Sequence, residues 1–426
     1  MRILVFAFQL NPHKGSECAV AWDYITEMSK SHELHVIYGA CEGFHDIGNT
    51  KYVEDYTLNH KYKNIIFIPF KPSFRTKNWQ YNAIETYLFY REYTRYHKEV
   101  YSFARNYIKE YNIDIIHYLG PIGYHEPGYM WNLNIPYIWG PIGGFSNIKF
   151  KLLPATFSIT GGLNLVVKSM LNLIQSFTSI RLRKALNQSA FVIASTTEAR
   201  KRIRCLCPSA NVSYLPENCI KELFPLNEDK FSNSIIRLIW IGRTDSQKGL
   251  PILLDALSLL KLKIVNMPIH VDIIGMGPLQ TKMIDYAKKK NIDDCVVWHG
   301  QIDRTKVYEL MNDAHINVIT SLNEANTTVI WEAMSLGVPT IALDHCGMHD
   351  TVSSRNGIKI PVKSYKLTVR TLAEEIENLI FNPKILEDLA HGVLELRDNY
   401  TWDKRALKFE EVYREALDKS HFDNRK

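Results

Sequence analysis

The sequence predicts an α/β protein made of two doubly wound, parallel-sheet domains. Three observations predict this. Short apolar runs alternate with helix-periodic stretches along the chain, the pattern of parallel strands joined by crossover helices. The runs form two series, seven and then five. A polar stretch with two prolines, residues 216–234, separates the series.

The first series reads ILVFAF, LHVIY, NIIFIPF, IDIIHY, IPYIWG, AFVIAS and VSYLP. A helix is expected after the first strand, from Ala19 to about Met28, entered through Gly15-Ser16-Glu17. Leu163, Val166, Val167, Met170, Leu171, Ile174 and Phe177 recur at helical spacing. Lys149, Lys151, Lys168, Arg181, Arg183 and Lys184 flank or face them. Such a pattern suits a core-facing helix or a basic amphipathic helix lying in a membrane interface. The Tyr-rich basic stretch over residues 71–111 allows the same two readings. The second series reads LIWIG, VDIIG, VVWHG, INVIT and PTIAL. A last helix is expected in YTWDKRALKFEEVYREAL, with Trp402, Leu407, Phe409, Val412 and Tyr413 as its apolar positions. The domains are therefore set at 1–217 and 218–400, with a terminal helix over 401–426.

A chain of 426 residues has room for two to three domains with sizeable cores. Its seven cysteines are scattered, and Cys205-x-Cys207 suits neither a zinc knuckle nor a redox pair. Free thiols in a reducing cytosol are expected. The opening apolar run is too short for a signal peptide, and no stretch nears the about 18 apolar residues of a spanning helix. Residues 1–217 hold 24 Lys and Arg against 16 Asp and Glu, and the remainder holds 27 against 29. The first half is either mildly basic without consequence or faces something anionic, such as a membrane surface or an acidic acceptor.

The second half carries the chemistry. Ile239-Trp240-Ile241-Gly242-Arg243 is a strand ending in glycine and arginine, and Lys248-Gly249 follows at a helix entrance. Gly275-Met276-Gly277-Pro278 follows the next strand, and His299-Gly300 the one after. Residues 314–320 read as a buried strand, 321–327 as a polar loop, and a helix begins at Thr328. That order sets a helix N-terminus beside the carboxyl end of a parallel sheet, where free N–H groups and the dipole can hold a phosphate. Glu324 falls in the loop and Glu332 about a turn into the helix.

The order Gly-Arg-x4-Lys-Gly, Gly-x-Gly-Pro, His-Gly and Glu-x7-Glu-Ala-Met-x-x-Gly-x-Pro resembles the retaining GT-B glycosyltransferases, the large sucrose-synthase-like family of group 1 glycosyl transferases. The resemblance is most specific over residues 238–352. It implies two Rossmann-like domains facing across a cleft, with the 401–426 helix crossing back onto the first. It also implies a nucleoside-diphosphate sugar as donor, UDP favoured over GDP, and no further cofactor. Arg243 and Lys248 are then expected on the donor diphosphate, with Gly242, Gly277, Thr327 and Thr328 around it. Glu332 is expected on the ribose hydroxyls and Glu324 beside the donor sugar. Ala325-Asn326-Thr327-Thr328 replaces the family's glycine- and phenylalanine-rich form, which bears on the sugar rather than the reaction.

In the first domain, Gly15, Ser16 and Glu17 form either a ligand-approaching loop or an ordinary turn with Ser16 as N-cap. Gly15 is assigned to the donor phosphate; Ser16, Glu17, Gly143 and Gly144 are acceptor-side candidates. His117 is a catalytic candidate where the family places a histidine near the transferred sugar, or else a satisfied strand-end histidine. Leu119 stands where many members have a second one. His125 and Glu126 are weaker candidates.

The resemblance implies a retaining transferase, with a glycan or polyprenyl-linked acceptor, in bacterial surface polysaccharide or lipopolysaccharide synthesis. The chain has no Asp-x-Asp, and Arg243, Lys248 and a helix dipole can neutralise the diphosphate, so no metal is expected. The expected location is cytoplasmic, either free or peripheral on the inner face of the cytoplasmic membrane. No nucleic-acid partner is expected. The rival readings are a GT-B phosphorylase, a sugar-nucleotide epimerase and a silent binding module. The absence of Gly-x-Gly-x-x-Gly after the first strand disfavours a dinucleotide oxidoreductase.

Overall fold

A computed structural model describes residues 1–13, 16–40, 49–59, 63–76 and 86–423. The chain forms two compact units. The first comprises Met1–Phe145, Leu173–Glu217 and Trp402–Lys426, and the second Ser146–Asn172 and Asn218–Thr401.

The first unit holds seven strands: β1 (Arg2–Ala7), β2 (Glu33–Gly39), β3 (Ile65–Phe70), β4 (Ile115–Gly120), β5 (Tyr137–Ile142), β6 (Phe191–Ala194) and β7 (Val212–Tyr214). All pair in parallel, in the order β3-β2-β1-β4-β5-β6-β7. Five of the six β1 residues are buried, as a central parallel strand requires. The 7 strands match the first series of apolar runs.

The helix Trp402–Asp423 packs on this sheet. Phe409, Val412, Tyr413 and Ala416 are buried at i, i+3, i+4 and i+7, a single helical stripe. Leu407, expected among the apolar contacts, lies off that stripe and is exposed.

The second unit holds β8 (Ile236–Ile241), β9 (Ile269–Ile274), β10 (Val296–Gly300), β11 (Ile316–Ile319), β12 (Thr340–Leu343) and β13 (Gly357–Ile360), all parallel in the order β10-β9-β8-β11-β12-β13. Strand β13 is one more than the sequence pattern offered. Its four residues include Lys359 at an edge, so no apolar run marks it.

One segment departs from the expected division. Residues 146–172 belong to the second unit, not the first. Ile148, Leu152 and Ala155 join the core built around Leu250, Leu253 and Leu257. Burial of these apolar side chains against the helix Leu250–Lys263 draws the chain there.

Candidate donor-binding site

In each sheet the strand order reverses once, and the carboxyl ends beside that reversal form the usual ligand crevice of an open α/β sheet. In the second unit the reversal lies between β8 and β11. The loops leaving these two strands carry most of the expected donor residues.

The loop after β8 is folded on Asp245. Its Oδ1 accepts from the backbone N–H groups of Gln247 (2.9 Å) and Lys248 (3.2 Å), and its Oδ2 meets Arg243 Nε at 3.2 Å. Arg243 keeps most of its side chain in solvent, 70% exposed, so the guanidinium fork remains accessible. This loop is fastened to the one after β11. Leu322 N–H donates to Gln247 O (2.7 Å), Gln247 Nε2 to Asn323 O (2.6 Å), and Thr320 Oγ1 to Lys248 O (2.9 Å). Across the junction Lys248 Nζ reaches Glu324 Oε2 at 2.5 Å.

Gly242 follows β8, its N–H donating to Ile274 O at 3.0 Å. Gly277 follows β9 against the same turn: a Cβ there would stand 2.5 Å from Thr244 O. Gly275 has φ +118° and is pressed on Gly242, so the chain needs glycine there. The helix Thr328–Ser335 begins at the end of the second loop. The Thr327 side chain makes no capping hydrogen bond. Asn326 instead turns inward, its Oδ1 accepting from buried Trp331 Nε1 at 2.7 Å. The first-turn amides, which have no partner within their helix, lie beside partly buried Thr328.

Glu332 lies on that helix, 15% exposed, and pairs with Arg304 at the start of the helix Arg304–Asp313. Burial raises its carboxyl above the ordinary value, against the charges of Arg304 and Lys221. No motif marked Arg304, because a lone arginine at a helix start carries no sequence signature. Behind the site, Asp272 accepts from His299 Nε2 (2.7 Å), His270 Nε2 (3.1 Å) and Arg237 (3.2 Å). Burial pushes this carboxyl up, but the two histidine hydrogen bonds and the arginine outweigh it and hold Asp272 low.

The first-unit candidates are placed differently. Gly15 lies outside the described residues, and Ser16 opens the helix Ser16–Met28. A small pocket at the carboxyl ends of β1 and β4 is lined by Gln9, Glu17, Leu119, Ile122, Pro141 and Glu217. Crowding by protein raises the Glu17 carboxyl, opposed by a backbone hydrogen bond from Ile122. Gly143 N–H donates to Ile122 O at 2.8 Å, and Gly144 beside it is exposed with φ +82°.

His117 does not face this pocket openly. It is fully buried. Its Nε2 lies 2.7 Å from Gly140 O, which can only accept, so Nε2 carries the proton. Its Nδ1 lies 2.8 Å from the hydroxyls of both Tyr24 and Tyr413. Burial lowers its pKa to about 4, so the imidazole is neutral. Both ring nitrogens are thus engaged by the fold. Glu126 is likewise interior, held by Arg181, Thr94 and Gly128 N–H.

Residues 227–392 match the family described as Glycosyl transferases group 1. The chain is 23% identical over 224 residues to the phosphatidylinositol N-acetylglucosaminyltransferase gpi3 subunit of Schizosaccharomyces pombe, covering 52% of this chain and 47% of that protein. It is 23% identical over 158 residues to the amylovoran biosynthesis glycosyltransferase AmsK of Erwinia amylovora, covering 36% and 38%. The chain thus spans about half or less of the length of the curated relatives it matches. Among solved structures it is similar to the lipopolysaccharide outer core galactosyltransferase WaaB in its apo form, with TM-score 0.64, 14% identity, and 97% and 99% of the two chains covered. It is also similar to Anabaena HepE in complex with UDP, with TM-score 0.62, 15% identity, and 97% and 99% covered. The segment 227–392 is similar to the group 1 glycosyl transferases, and the chain carries the GT-B fold.

Proposed function

We propose that this protein is a retaining glycosyltransferase that moves a sugar from a nucleoside-diphosphate sugar, with UDP as the favoured nucleotide, to a glycan or lipid-linked acceptor. The observation that carries this is the Lys248–Glu324 contact at the β8/β11 reversal, with Arg243 in the same loop and Glu332 on the following helix. Arg243 and Lys248 bind the diphosphate and stabilise it as it leaves. The first-turn amides at Thr327 and Thr328 add backbone donors. Glu332 accepts from the ribose hydroxyls and Glu324 from the sugar. In front-face displacement the anomeric C–O bond to phosphate breaks and the acceptor oxygen bonds the same face. The leaving phosphate oxygen takes the acceptor's proton.

Catalysis here is positioning and electrostatics, and the arginine, lysine and helix dipole do the neutralising without a metal. A chelator then leaves turnover intact; loss that magnesium or manganese restores refutes this clause. The relatives named for polysaccharide synthesis support a role in surface polysaccharide or lipopolysaccharide assembly, at the inner face of the cytoplasmic membrane. The test is thermal stabilisation by UDP, GDP and ADP, each beside its sugar conjugates, with Glu332→Ala as control. A shift with one nucleotide, lost in the variant, supports the donor site and names the base. No shift with any nucleotide overturns it.

A further inference from the structure

The helix Ile159–Thr178 is turned inside out. Its buried positions are Gly162, Ser169, Asn172 and Ser176, spaced along one face. Ser169 Oγ accepts from Ile148 N–H (3.2 Å), Asn172 Nδ2 donates to Asn147 Oδ1 (3.0 Å), and Ser176 Oγ accepts from Arg202 (3.1 Å). The opposite stripe is apolar and in solvent: Leu163 (61% exposed), Val167, Met170 (58%), Leu171 and Ile174. These fall at i, i+4, i+7, i+8 and i+11, one continuous face. A core-facing helix has the reverse arrangement, and an exposed stripe of this length marks a contact surface.

Charge identifies what covers it. Between Glu126 and Glu198 the sequence has no acidic residue and six basic ones, Lys149, Lys151, Lys168, Arg181, Arg183 and Lys184. That excess equals the net charge of the whole chain, +6. Arg181 is taken by Glu126, and the other five are exposed. A second copy would set this basic collar against itself. An uncharged apolar partner would leave the collar without a counterpart. An anionic bilayer answers both features, taking the apolar stripe below its headgroups and the lysines among them. Among the described residues no helix is long and apolar enough to cross a membrane, so the helix lies along the surface.

We propose that the helix Ile159–Thr178 docks this protein on an anionic lipid surface. This gives the membrane contact within the proposed function a named element. It is measured without a sugar donor, so its failure is distinguishable from failure of sugar transfer. The experiment is flotation of the full chain with vesicles of phosphatidylcholine alone or mixed with phosphatidylglycerol. Binding to the mixed vesicles, weakened by salt, is expected. The triple variant Leu163→Ser, Met170→Ser, Ile174→Ser should bind at least about tenfold more weakly. Lys168→Gln with Lys184→Gln should also lose on the order of tenfold. All five positions are exposed, so melting temperature and the UDP response should hold in both. No binding of the unaltered chain to mixed vesicles overturns the proposal, as does equal binding by the apolar variant. So does a dimer in lipid-free solution that the apolar variant abolishes, which would assign the stripe to a second copy.

Discussion

Lys248 Nζ lies 2.5 Å from Glu324 Oε2, with the two side chains only 22% and 18% exposed. The pair joins the loops leaving β8 and β11. In the proposed reaction a diphosphate would compete for the lysine and free the carboxylate for the sugar. Lys248→Ala should therefore cut kcat/KM for sugar transfer by roughly a hundredfold or more. It also strands a half-buried carboxylate. Chemical denaturation should show Lys248→Ala less stable than the double variant with Glu324→Ala, because the second change removes the stranded charge. A double variant at least as unstable as the single one would mean the two groups are not coupled.

Glu332 carries a cost in the resting protein. Its carboxyl is raised from 4.5 by burial, despite Arg304 and Lys221. A carboxyl raised on folding contributes most below its ordinary pKa, and that contribution is lost as pH rises through the folded value. Glu332→Gln should thus match the unaltered protein at acid pH, where the carboxyl is protonated in both the folded and the unfolded chain, and become the more stable of the two at pH 8. The UDP-induced thermal shift should vanish in the same variant, the usual exchange of stability for function at a binding site. Lower stability of Glu332→Gln at pH 8 would contradict this.

The sheets were legible in the sequence because central parallel strands are buried on both faces and read as apolar runs. Strand β13 was not, because Gly357-Ile358-Lys359-Ile360 is short, edge-placed and interrupted by a lysine. The glycine-bearing loops of the candidate site were legible because glycines pressed against neighbouring backbone, such as Gly277 on Thr244, must recur at fixed offsets from the strands. Arg304 was not, since its role arises only when β10 and β11 bring two distant helices together. The 146–172 excursion into the second unit was hidden for the same reason: Leu152 and Ala155 look like any apolar pair until their core is assembled. The helix Ile159–Thr178 shows the limit of periodicity, which finds an apolar stripe but not the side it faces.

Gly347 supports Glu324 from behind. A Cβ on it would stand 1.6 Å from Ala325 O, and its N–H donates to Glu324 O at 3.2 Å. The loop carrying Glu324 thus rests on bare backbone. Gly347→Ala must push residues 324–326 outward, at a cost of about 1–3 kcal/mol for overpacking. Donor binding should weaken more than stability does, because the displaced atoms belong to the site. Thermal melts with and without UDP would check this: a full nucleotide shift in a destabilised variant would separate the loop from the donor site.

His117 supplies the last prediction, on pH. Burial lowers it from 6.5 to about 4, only partly offset by its hydrogen bond to Gly140 O. The unfolded chain takes up a proton on this residue below pH 6.5, and the folded chain resists until about pH 4. Its contribution is therefore fully present above pH 6.5 and is lost as pH falls toward 4, roughly 3 kcal/mol in all. His97, lowered to about 3 by burial, adds to the same acid slope. His117→Gln keeps a donor for Gly140 O but cannot titrate. It should be less stable than the unaltered protein at pH 7, having lost the contacts with Tyr24 and Tyr413, and the gap should narrow as pH falls from 6.5 to 4. Denaturant melts across that range decide the matter: a gap that stays constant would show that the imidazole is not held neutral by the fold.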